Sequence, residues 1–134
     1  MSDPSLPLQK ALVAALKVAG ALPEVVGRRV YDDVDASAPF PYVTLGPTQV
    51  LPDKAGCIDG SEVFQQIDVW SRGVGFPECK AIAQAIVSKL DDAELTVDGY
   101  AVIVFEHQDT RYLRDPDGLT KHAAITFRSL LQPI

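Results

Sequence analysis

Only two cysteines, Cys57 and Cys79, occur in the 134 residues, too few for the disulfide framework of a small secreted domain. Both are expected to be unpaired thiols in a reducing compartment. Long apolar runs are missing as well: Ala11 to Leu16 is closed by Lys17, and the first basic residue is Lys10. Neither a membrane span nor a secretory leader is therefore expected. Positive charge is scarce, with 12 basic against 18 acidic residues and a formal charge of -6, which opposes affinity for a phosphate backbone. Repeats, low-complexity tracts and linkers are absent, so residues 1–134 are expected to form a single domain with one core.

Catalytic devices are missing too. No GxSxG, Walker-type loop, GxGxxG, HExxH or CxxC is present, which removes the usual means of acyl, phosphoryl, hydride and metal-assisted chemistry. The expectation is a protein that is not an enzyme and that needs no cofactor.

What the chain does hold is a clear set of elements. In VYDDVDASAPFPYVTLG at 30 to 46, Pro39 and Pro41 fix their own φ and extend the residue before each. This gives a strand, a proline-bent crossing and a second strand, Tyr42 to Leu45, stopped by Gly46-Pro47. Leu8, Leu12, Ala15, Leu16 and Ala19 predict a helix over 6 to 19 with much of its circumference buried. The stretch Thr48 to Gly60 has no period and predicts a long loop. From Ser61 to Ser71 the alternation puts Val63, Ile67 and Val69 on one face of a strand and Phe64, Asp68 and Trp70 on the other.

Phe76, Cys79, Ile82, Ala83, Ile86, Val87 and Leu90 follow helical spacing, so a helix runs from Gly75 to about Asp91. Leu95 to Val97, Asp98-Gly99 and Tyr100 predict a tight hairpin. A long strand, Tyr100 to Tyr112, then turns through Arg114 to Gly118 and returns over Lys121 to Leu131, with its polar end free to project as a ribbon. The register of this hairpin stays open. The fold class is α+β: an antiparallel sheet of about four to five strands with two main helices on one face.

Several groupings invite a chemical reading. His107 and His122, with Asp109, could form a metal or acid-base site, although two partly exposed strand residues are the plainer reading. Asp32, Asp33 and Asp35, or Asp115 and Asp117, could ligate a hard cation, but neither set completes a calcium loop and solvated turn carboxylates account for them. Trp70 shares its face with Phe64 and precedes Arg72, the residue types enriched at interface centres; a second core layer is the competing account.

Taken together, VYDDVDASAPFPYVTLG at 30 to 46, DVWSR at 68 to 72, AIAQAIVSKL at 81 to 90 and DPDGLTKHAAITFR at 115 to 128 resemble the small tail-completion, or tail-terminator, proteins of siphophages, prophages and gene transfer agents. The resemblance runs from about Leu8 to Arg128. It implies a virion component similar to the lambda-like tail terminator, assembled in the host cytoplasm. Such a protein forms a homohexameric ring on the head-proximal end of the tail tube. The implied partners are further copies of itself, the tail tube protein and a head-tail connector protein, while DNA passes through the ring without specific binding. A different connector or minor tail component, or a small-ligand-binding α+β module, are the alternatives.

The family supplies no interface motif, so physical reasoning places the candidates. A ring joins two different patches head to tail. Phe64, Trp70 and Arg72 are candidates on a strand, Asp53 and Lys54 on the loop, and Glu106, His107, Asp109, Arg111, Arg114 and Asp117 on the polar hairpin. The loop and hairpin are further expected to be arms that order on assembly. Asp53, Asp59, Glu62, Asp91 and Asp92 are candidates for an acidic lumen that repels DNA.

Overall fold

The computed structural model describes residues 3–53 and 59–134, apart from the side chain of Asp92. Its elements in chain order are α1 (Ser5–Leu16), β1 (Val30–Tyr31), β2 (Tyr42–Asp53), β3 (Gly60–Ser71), α2 (Pro77–Asp92), β4 (Tyr100–Arg114) and β5 (Lys121–Pro133). The strands form one sheet in the order β1-β2-β3-β5-β4, and both helices pack on the same face of it. The fold is α+β as the sequence predicts, with one departure: β1 pairs with β2 in parallel, so the sheet is mixed.

Both helices owe their place to a single apolar stripe. Leu8, Leu12 and Leu16 of α1 and Cys79, Ile82, Ile86 and Leu90 of α2 are fully buried, against Val63, Ile67 and Val69 of β3 and Ile125, Phe127 and Leu131 of β5. Pro77 opens α2, where its missing N–H costs nothing, and Glu78 and Lys89 sit at the ends whose helix charge they complement. The expectation that α1 is buried around much of its circumference is corrected: Leu6, Lys10 and Ala14 form an exposed side of the helix.

Gly46-Pro47 does not end a strand. It forms a bulge, where the β2–β3 register shifts between Leu45 and Thr48, and β2 continues to Asp53 through the first part of the predicted loop. Beyond Thr44 this strand is no longer flanked by β1, so Pro47 and Pro52 remove no donor that an inner strand would need. The buried Gln65 amide spans the irregularity, donating to Gly46 O at 3.2 Å and to Gln66 O at 2.7 Å and accepting from Thr48 Oγ1. Lys54 and Cys57, within the remainder of that predicted loop, lie outside the described residues.

Two further expectations fail. Leu95 to Val97 is not a strand; it contributes one bridge, Val97 to Tyr100. The Asp98-Gly99 turn has positive φ at Gly99 alone, whereas the turns that launch a two-residue hairpin need it at both positions (type I′) or at the first (type II′). Nor does the polar end of β4 project. It pairs with β5 through Arg114↔Lys121, and β5 pairs with β3 through Ser71↔Lys121, so the hairpin ends level with β3 inside the sheet.

Candidate interaction face

The period-two alternation of β3 separates two environments. Ser61, Val63, Gln65, Ile67, Val69 and Ser71 are buried toward the helices. Glu62, Phe64, Gln66, Asp68 and Trp70 point to the opposite face, which no helix among the described residues covers. β5 adds His122, Ala124, Thr126, Arg128 and Leu130 to that face, and β4 adds Glu106, Asp109, Arg111 and Leu113.

This open face is chemically organised. Trp70 stacks on His122 with centroids 3.9 Å apart, and its indole N–H donates to Thr44 Oγ1 at 3.0 Å. His122 Nε2 lies 2.6 Å from Asp68 Oδ1, which also accepts from Gln66 Nε2 at 2.8 Å. Asp68 is only 5% exposed, so these partners replace the water it has lost. Farther along, Arg128 joins Glu62 at 2.6 Å and Glu106 at 2.9 Å. Those two hydrogen-bonded carboxylates push the guanidinium pKa upward.

At the end of the face lies a cleft of about 400 Å³. Phe40, Tyr42 and Trp70 form its aromatic walls, and Asp32, Asp33, Asp115 and Asp117 stand around it. The two acidic turns that are far apart in sequence thus share one cleft, although among the described residues no cluster can hold a metal ion. Arg72 lies over the Phe40 ring at 4.2 Å and 3.6 Å from Asp117. Asp117 accepts from the Thr120 hydroxyl and from the Leu119 and Thr120 N–H groups, which hold its pKa down at about 2. Burial pushes the Tyr42 phenol up, with Arg72 opposing it.

The other sequence candidates divide. Phe64, Trp70, Glu106, Asp109 and Arg111 share the open face, and Arg72 and Asp117 meet at its end. Arg114 instead lies over Phe76, 4.8 Å from the ring centroid, and His107 turns to the helix side, 2.7 Å from Thr110 Oγ1 and edge-on to Phe127. His107 and His122 are therefore on opposite faces and form no pair. Asp53 closes β2 and Lys54 is outside the described residues. Of the acidic lumen candidates, Asp53, Asp59 and Glu62 gather at the β2–β3 hairpin, whereas Asp91 is on α2; the Asp92 side chain is outside the description.

Sequence reasoning missed His122 as the residue that stacks on Trp70 and pairs with Asp68, and Phe40 and Tyr42 as walls of the cleft. The signal for Phe40 and Tyr42 was present in their flanking prolines, but the Trp70–His122 match depends on a register the sequence leaves open.

The described residues form a two-layer α+β domain with an organised sheet face that no helix among them covers. Known proteins place it further. The model of the family "Tail completion protein gp17" matches residues 10–132, and the chain belongs to that family, whose members are structural components of phage tails. Tail completion protein gp17 of Bacillus phage SPP1 is 27% identical over 121 residues, covering 90% of this chain and 89% of the phage protein. The solved structure of SPP1 gp17 superposes with a TM-score of 0.62 at 26% identity, over 93% of this chain and 88% of that one. A chain in the virion of a native gene transfer agent particle superposes with a TM-score of 0.88 at 25% identity, covering 98% of this chain and 99% of that one.

Proposed function

We propose that this protein forms a homohexameric ring on the head-proximal end of a tail tube, ends polymerisation of the tube and offers the face to which the head connector joins. The observation that carries this reading is the near-complete superposition on a chain of an assembled gene transfer agent virion. Family membership adds the tail completion role. The work is geometric: the domain stops growth by presenting to the next tube subunit a surface it cannot extend, and it needs no bond-making residue to do so.

The sheet fits such a role. Its two lateral sides differ, one ending in β1 and β2 and the other in β4, and unlike sides that meet head to tail close a ring. The acids at the β2–β3 hairpin, Asp53, Asp59 and Glu62, are proposed to face the lumen, where their negative charge, in a chain of formal net charge -6, keeps passing DNA from adhering. Imaging particles that lack this chain tests the function. Overlong or unjoined tails are expected; tails of normal length joined to heads would remove the reading.

A further inference from the structure

The two free sides of the sheet carry matched features at one level. The register runs Tyr31↔Thr44↔Asp68↔Ala124↔Arg111, one residue from each strand in a single row across the sheet. At one end of this row, Arg111 stands exposed on the outer strand with no ion pair among the described residues. At the other end, beside Tyr31, the aromatic cleft begins. Of its carboxylates Asp117 is held by Arg72, and Asp32, Asp33 and Asp115 have no cationic partner among the described residues.

We infer that Arg111 of one copy inserts into the aspartate-lined aromatic cleft of the next copy. This rests on the ring reading. A rotation about an axis along the strands preserves strand direction. Because β4 runs opposite to β1, its free edge meets the neighbour's β1 antiparallel, at the level the row defines. Arg111 and the cleft both belong to the face no helix covers, so no helix lies between them. Arg114 does not compete, since it is laid over Phe76.

The chemistry of the cleft suits a guanidinium more than an ammonium. Tyr42 and Trp70 offer ring surface for a flat cation, and Asp32 and Asp33 offer carboxylate oxygens to its forked donors. The free subunit has unmatched carboxylates at one edge and an unmatched arginine at the other, and one contact satisfies both. Each copy uses its arm once and its cleft once, as a head-to-tail contact requires.

That asymmetry gives a test in which two defective variants repair each other. In R111E the arm is reversed and the cleft is intact; in D32R/D33R the cleft is reversed and the arm is intact. Sedimentation velocity on the full-length chain should show the wild type self-associating and each variant associating at least about tenfold more weakly. An equimolar mixture should recover association, because the acidic arms of R111E then meet the basic clefts of D32R/D33R, and the native arms of the second variant meet the native clefts of the first. Both sites are exposed, and thermal midpoints within a few degrees of wild type would show that the variants fold.

A mixture no stronger than either variant, with both folded, overturns the contact, as does a wild-type chain that stays monomeric at the highest concentration reached. Neither result touches the ring reading, which stands or falls on the tails of particles that lack the chain.

Discussion

Trp70 and His122 lie face to face across the β3–β5 pair, their planes 10° from parallel. The imidazole beneath the indole is also a partner of Asp68, a carboxylate in the middle of a sheet with Gln66 as its other side-chain partner among the described residues. Replacing His122 by Phe keeps an aromatic ring for Trp70 and removes the nitrogen. Leaving the buried acceptor short of a partner costs about 1–3 kcal/mol. A urea titration followed by Trp70 fluorescence should show a lower midpoint with an unchanged slope; a midpoint equal to wild type would mean that Asp68 needs no such partner.

Gly46 sits at the bulge because nothing larger fits there. A Cβ at this position would collide with Asp68 Oδ2 and approach Gln66 Cβ at 3.2 Å. Gly46→Ala is expected to cost about 1–3 kcal/mol, the usual penalty for forcing atoms into filled space. The control is Gly20→Ala, where nothing lies within 4 Å of the added carbon but φ is +80°. Its cost should come from the backbone alone and amount to about 1 kcal/mol. Thermal melts of the two variants separate crowding from conformation.

How far the sequence reaches can be judged from these same residues. Helical spacing in α2 and alternation in β3 are local signals, so both elements and the face shared by Phe64 and Trp70 were legible. Gly46-Pro47 reads as a stop and acts as a bulge because the fold leaves that stretch at an edge, and edge status depends on the position of β1. The parallel pairing of β1, only two residues long, depends on contacts between strands that share no local pattern. The cleft was half legible: its aspartates and prolines stand out, but only the sheet register brings Asp32 to the same place as Asp117. His122 could not be matched to Trp70 for the same reason.

Cys79 offers a check on the packing of α2. It is completely buried, and burial, with Glu78 adding to it, pushes the thiol pKa up to about 11. The thiolate is the reactive form, so Cys79 in the native protein should resist alkylation at about pH 8, near the ordinary thiol pKa, and react once denaturant unfolds the chain. Peptide mass mapping assigns the modified position. Rapid native modification of Cys79 would show that α2 lifts from the sheet far more readily than its buried stripe allows.

Asp117 ties the β4–β5 turn together, and its protonation should loosen it in a defined range. The Thr120 hydroxyl and the N–H groups of Thr120 and Leu119 all donate to the ionised carboxylate and lower its pKa from 3.8 to about 2. A depressed pKa means that the folded turn favours the charged form. The stabilisation is therefore complete above the ordinary value of 3.8 and is lost as the pH falls through about 2. The amide resonances of Leu119 and Thr120 should titrate with a midpoint near 2, and Asp117→Asn should abolish that titration at every pH. A midpoint near 3.8 would mean that the three donors do not hold the carboxylate in solution.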